Sequence, residues 1–308
     1  MKVRQAITPS VRIILLTIIL FICFSLGASV MREQSASQNT SQQNTVVAAA
    51  LLLVCFLDAC VLSYLILRSR WTGWKLIAAV WLGFYGTGTV LPQIEILVFP
   101  MAIPPGTLPR LLLMGFITTA IFTPLAVWIL GKRKPAVPAA ESNPPLPAAP
   151  SRELILRFAA IAAIYVCVYF TFGYFIAWRD PAVRAYYGGN DPGTFFVQMK
   201  NVLRDTPWLV AFQVLRGVLW GLIALPIIRM IKGRRWEAGL AVALLFSVVL
   251  SDKLLLPNPY MPEQVRMTHL IETASSNFLL GWIAAWLLTK PRATGVNAVA
   301  VGSGVARD

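Results

Sequence analysis

The chain has 308 residues, of which 57% are hydrophobic and 13% charged, with a mean hydropathy of +0.68. Soluble domains carry roughly a quarter of their residues as charges, so this composition excludes a water-soluble globule and points to a membrane protein. The formal charge of +14 does not describe a nucleic-acid surface, because the cations fall in short clusters between apolar runs. Cys23, Cys55, Cys60 and Cys167 all lie inside those runs, His269 is the only histidine, and no CxxC occurs. That pattern excludes a secreted disulfide framework, bis-histidine haem and a multi-histidine metal centre, and no cofactor or metal is expected.

Lipid offers no hydrogen-bond partner to a backbone amide, so a crossing helix needs about 20 mainly apolar residues. Eight runs meet that requirement, giving an all-α, polytopic transmembrane helical bundle of about eight spans. The first, Val11 to Val30, follows Lys2 and Arg4 and contains Ala28, as a signal peptide would. It is longer than the usual apolar region of a signal peptide, so it is read as a retained helix. The next three runs are Val46 to Leu67, Leu76 to Phe99, and Leu111 to Leu130, and residues 1–130 form a first four-span half. Residues 131–150, GKRKPAVPAAESNPPLPAAP, read as a Pro/Ala-rich cytoplasmic tether. The second half, residues 151–290, holds Ile155 to Trp178, Trp208 to Ile231, Ala238 to Leu256, and Met267 to Leu288. Residues 291–308 have no apolar core and read as a disordered cytoplasmic tail.

Alternate connections are basic. Arg68, Arg70 and Lys75 follow the second run, Lys132, Arg133, Lys134, Arg152 and Arg157 surround the tether, and Arg229, Lys232, Arg234 and Arg235 follow the sixth. The positive-inside rule then places both termini in the cytoplasm of a bacterial inner membrane. Arg70-Trp71 and Arg235-Trp236 open the third and seventh runs, each followed 21 positions later by a proline, Pro92 and Pro257. That likeness suggests a 4+4 parallel repeat, because four spans return the chain to its starting side.

The longest connection, Arg179 to Pro207, is too short for a soluble catalytic domain. Its Phe195, Phe196, Met199, Val202 and Leu203 suit a short amphipathic helix at the membrane surface. Any chemistry therefore lies within the bundle or at its rims. Ionisable groups there cost roughly 2.5 to 3.5 kcal/mol each and call for a partner, a water-filled cavity or a function. They are Asp58, Glu95, Arg216, Asp252, Lys253, His269 and Glu272.

Arg216 lies nine residues after Pro207, too deep to reach water easily. His269, Glu272 and Ser276 share one helical face. We expect Arg216, Glu95, His269 and Glu272 to line one cavity open to the outside, as a ligand site for a small anionic or proton-coupled solute. The alternative is an Arg216–Glu272 ion pair that only fixes helix register. Asp58, within the second run and apart from the others, is a candidate proton or cation relay or a protonated carboxyl between helices. Gly83-Phe84-Tyr85-Gly86-Thr87-Gly88 lacks the lysine of a phosphate loop and reads as a close helix contact.

Three function classes remain: a small-solute transporter or permease, an embedded enzyme acting on lipid-linked substrates with His269 and Glu272 as acid and base, and an accessory or sensory subunit without a site. DDxxD motifs are absent, which weighs against the enzyme. The transporter is the preferred reading. The lipid bilayer is the one partner the sequence specifies, with no nucleic acid, and oligomeric state is not encoded in it legibly.

Overall fold

A computed structural model describes residues 8–34, 41–96, 98, 104–133, 151–257 and 260–289. The tether beyond Arg133 and the C-terminal tail lie outside the described residues. Among those described, regular structure is helical, apart from one isolated antiparallel bridge between Ser69 and Ile231. An α-helix satisfies its amides within one segment, which is what an apolar run in lipid demands.

The order is α1 (Pro9–Ala28), extended by a 3₁₀ turn to Gln34, α2 (Ser41–Leu67), α3 (Gly73–Tyr85), a π-helical turn (Gly86–Val90), α4 (Leu91–Ile96) and α5 (Thr107–Ile129). Then follow α6 (Ser151–Phe172), a π-helical turn (Gly173–Ala177), α7 (Pro181–Tyr187), α8 (Phe195–Asp205) and α9 (Pro207–Met230). The last group is α10 (Arg235–Leu244), a π-helical turn (Leu245–Val249), a 3₁₀ turn (Asp252–Leu255) and α11 (Glu263–Thr289).

Six helices are long and apolar enough to cross a membrane: Pro9–Met31, Thr45–Leu67, Thr107–Ile129, Arg152–Ala177, Pro207–Met230 and Arg235–Leu255. The third and eighth apolar runs also form helices, α3 to α4 and α11. They are more polar: Thr87, Thr89, Gln93 and Glu95 interrupt the one, and Glu272, Thr273, Ser275, Ser276 and Asn277 the other.

The chain runs up and down. In the first part α1 packs on α2 and α5, and α3 on α5; in the second α6 packs on α9 and α11, and α10 on α11 and α9. The two parts meet where α2 lies against the α10 region and α3 against α9. Trp220, Phe246, Phe84 and Phe122 fill the centre, with Trp220 and Phe246 rings 4.3 Å apart. In lipid no hydrophobic drive holds helices together, so small residues that admit close approach matter more. Gly83 and Gly86 meet Ile227 and Ile223 of α9 this way, where an added Cβ would stand 3.0 and 2.8 Å from their methyls.

The basic connections gather at one end. Arg70 N donates to Met230 O (2.7 Å), Lys232 N to Arg68 O (2.8 Å) and Gly73 N to Lys132 O (2.8 Å), while Lys132 Nζ donates to Ser69 O (2.8 Å). Arg157 of α6 donates to Leu288 O at the end of α11 (3.0 Å). Arg68 also pairs with Glu237. Burial and the charge of Lys232 lower the pKa of Lys132. The opposite end carries α4, α7, α8 and the turn before α11. In α8 no residue is buried, and Phe196 is 82% and Leu203 62% exposed, as the amphipathic reading of this segment requires.

Two crossings at which backbone meets backbone set a test. An added Cβ at Gly217 would meet Ala162 Cα at 2.6 Å, and one at Gly281 would meet Ala243 Cα at 2.7 Å. Backbone cannot yield as a side chain can, so Gly217→Val and Gly281→Val each lose about 1–3 kcal/mol of stability. Thermal unfolding in detergent checks this, and unchanged midpoints would contradict these crossings.

Candidate functional site

Arg216 is carried on α9, a helix whose first turn begins with Pro207 and whose sequence leaves no other charge before Arg229. It is 4% exposed. A guanidinium so placed needs acceptors and an anion. Glu95, brought beside it by α4, pairs with Arg216 Nη1, the same nitrogen donates to Gln213 Oε1 (3.0 Å), and Nη2 donates to Leu91 O (3.4 Å). The rings of Tyr165 and Phe212 lie 5.5 and 5.8 Å from the guanidinium carbon. Glu95 keeps 36% of its side chain exposed, so the pair has one dry member and one that reaches the rim.

His269 and Glu272 lie one turn apart on α11. His269 Nδ1 is 2.7 Å from Glu272 Oε2, and its Nε2 is 3.3 Å from the hydroxyl of Tyr187 on α7. Nδ1–H donates to the carboxylate, and Nε2 shares a hydrogen bond with the Tyr187 hydroxyl whose direction follows the charge state of the ring. Gly173, at the start of a π-helical turn, lies beside Glu272: a Cβ there would stand in ordinary contact, 3.5 Å from Glu272 Oε1. Partial desolvation, then the charge of Glu95, then Tyr186 and the charge of Glu272, push the Tyr187 phenol above its ordinary pKa. The phenol therefore stays protonated and able to donate.

All four sequence-predicted ligand residues thus sit at the end opposite the basic connections, as two ion pairs rather than one quartet. The Arg216–Glu272 pairing weighed from sequence does not form; Arg216 takes Glu95, and Glu272 takes His269. The pairs are neighbours all the same, since Glu95 lies within Coulomb range of His269 and of Tyr187. Gln213 and Tyr165 were not singled out in the sequence, and Tyr187 was not read as part of the site. Gln213 had a signal, being one turn before Arg216 on the same face.

Two donors in this cluster have no hydrogen-bond partner among the described residues, Arg216 Nε and Gln213 Nε2. Both residues are buried, Gln213 completely. A groove of about 280 Å³ lies elsewhere, at the basic end, lined by Ile77, Pro124, Leu125, Val127, Trp128 and Arg133. It touches none of the cluster.

Asp58 is not isolated, as its sequence setting suggested. Its Oδ2 accepts from Lys253 Nζ at 2.7 Å, and Asp252 Oδ1 lies 2.8 Å from the same nitrogen. Sequence distance hid this, because Asp58 and Lys253 are 195 residues apart.

The connection over the site is strapped to α11. Asp180 caps α7 through Ala182 N (2.8 Å) and accepts from Thr268 (2.5 Å) and Gln264 (3.2 Å), while Tyr186 donates to Tyr260 O (2.7 Å). The Thr268 hydroxyl, and after it the Ala182 amide, hold the Asp180 carboxyl below its usual pKa. A depressed carboxyl contributes stability that is complete above its unfolded pKa of about 3.9 and is lost as pH falls through the folded value. Comparison of the chain with protein-family models, with curated proteins and with solved structures finds no match.

Two outcomes follow. Arg216→Leu leaves Glu95 without its cation and costs about 3 kcal/mol, the low end for a buried pair because Glu95 is partly wet. Arg216→Leu combined with Glu95→Leu recovers part of that loss, which a double-mutant cycle of unfolding measures. Asp180→Asn speeds proteolysis within residues 181–205 and flattens the acid limb of the stability profile; equal cleavage and an unchanged profile would contradict the strap.

Proposed function

We propose that the chain is an eight-span bundle of a bacterial cytoplasmic membrane, with both termini in the cytoplasm, and that it is a transporter for a small anionic solute. The orientation follows from the basic end facing the cytoplasm, which puts the Arg216 cluster on the outer side. The 4+4 parallel repeat is supported by the helix neighbours. Exchanging the two halves turns the contact of α2 with the α10 region into that of α9 with α3, and both are present.

The solute class is carried by one observation, the two orphan donors. Buried donors without partners cost about 1–3 kcal/mol each and are rare in native structures. Arg216 Nε and Gln213 Nε2 belong to residues joined by a 3.0 Å hydrogen bond. A carboxylate or phosphate oxygen between them relieves both, and it shares Arg216 with Glu95. Displacing Glu95 toward the rim, where it is already partly exposed, provides room. Tyr187 and the His269–Glu272 pair then close the outer side and supply the proton-linked group.

The accessory reading is favoured by a different fact, that each cation in the cluster already has its carboxylate, so the charges suffice to fix helix register. Ligand binding separates the two. Purified protein is heated with phosphate, a monocarboxylate and a dicarboxylate, each against chloride at equal ionic strength. A true ligand at a hundred times its Kd stabilises by about 2.7 kcal/mol, and Gln213→Leu removes that gain. If none of these anions stabilises more than chloride does, or if the gain persists in Gln213→Leu, the transporter site fails and the accessory reading stands.

A further inference from the structure

Away from the Arg216 cluster, the bundle encloses a second charged group that its own ion pairs do not balance. Asp58 on α2 is 2% exposed and Asp252, at the head of the 3₁₀ turn, is 3% exposed. Lys253 Nζ stands between them at 2.7 and 2.8 Å and also donates to Val249 O at 2.9 Å. Two carboxylates share one ammonium, so full ionisation leaves a net negative charge in the interior. Like charges at this spacing cannot both ionise cheaply in a low dielectric, and the usual relief is one bound proton.

The bonding points the same way. Asp58 Oδ1 and Asp252 Oδ2 have no hydrogen-bond partner among the described residues, and Asp252 Oδ1 has only its ion pair with Lys253. These are acceptors buried beyond nine-tenths, facing a group that lacks one positive charge. The backbone around them is irregular in a way that fits a site: the π-helical turn Leu245–Val249 ends at the carbonyl that holds Lys253, and the turn Gly86–Val90 brings Gly88 close, where an added Cβ would be 3.8 Å from Lys253 Nζ. Single π turns in α-helices recur at functional positions. Lys253 keeps 26% of its side chain exposed against 3% and 2% for the aspartates, so it is the member of the group that reaches nearest the surface of the bundle.

We propose that Asp58, Asp252 and Lys253 form an exchangeable proton site, in which one carboxylate neutralises Lys253 and the other carries a proton taken from water. Loading converts a carboxylate to a carboxylic acid, and release returns the proton to water; no other bond changes. The other titratable groups nearby are the buried thiols Cys55 of α2 and Cys23 of α1, and Arg266 of α11, which reaches the carbonyls just after Lys253. Arg266 is engaged with Leu254 O and Leu256 O at 2.9 and 2.8 Å. A role for this proton in driving solute movement rests on the transporter reading; the site itself does not.

Infrared spectroscopy of the purified protein, carrying ¹³C-carboxyl aspartate, tests the proposal without any knowledge of the solute. Among the described aspartates only Asp58 and Asp252 are buried, so a protonated aspartic acid band at neutral pH reports on this pair. The expected result is a band worth one carboxyl per chain that shifts in D₂O and disappears as pH rises. It is lost in Asp252→Asn and roughly doubled in Lys253→Met, and it is unchanged in Gln213→Leu. Wild-type protein with no aspartic acid band at neutral pH overturns the proposal, as does a band that ignores pH and D₂O. A band abolished by sodium at constant pH overturns it in favour of a monovalent-cation site. The wild-type arms stand even where a variant does not fold, and loss of anion binding in Gln213→Leu with the band intact separates failure of one site from failure of the other.

Discussion

A charge carried into a lipid-embedded bundle must meet its counter-charge there, and at three places the chain meets that demand across helices. Arg216 on α9 takes Glu95 on α4, Lys253 after α10 takes Asp58 on α2, and Arg68 after α2 takes Glu237 on α10. Each pair ties a helix of the first part to one of the second, which dispersion between apolar faces alone would hold only loosely. The seam between the two parts is therefore the polar seam, and both candidate sites lie along it.

Three helices lose their regular ladder at π-helical turns, and each turn adjoins a charged group. Gly86–Val90 and Leu245–Val249 flank Lys253, and Gly173–Ala177 lies beside Glu272. Freed carbonyls at membrane depth are tolerated where a buried side chain or a cavity takes them, and Val249 O with Lys253 is one such case. Arg266 does the same service for Leu254 and Leu256. The irregular backbone and the buried charges thus explain each other.

The sequence made the helices legible because an apolar run in lipid has few other solutions, and the clustered cations located the basic end. Helix partners were harder to read. Glu272 and Glu95 were both plausible mates for Arg216, and only the fold places α4, rather than α11, against that face of α9. Asp58 looked solitary because its partner lies on the other half of the chain, and no periodicity links residues so distant. Gln213 was hidden by ordinary polarity: a glutamine in an apolar helix signals burial, yet its orphan donor becomes visible only beside Arg216.

The central claim is that the Arg216 cluster is a solute site entered from the side opposite the basic connections. Substituted-cysteine labelling addresses it directly, with Glu95→Cys placed in a chain whose native cysteines are replaced and reconstituted with known orientation. The account predicts modification by a membrane-impermeant, negatively charged thiol reagent from the outer side, slowed by any anion that stabilises the protein. Labelling from the cytoplasmic side, or no labelling of a folded protein from either side, would contradict it.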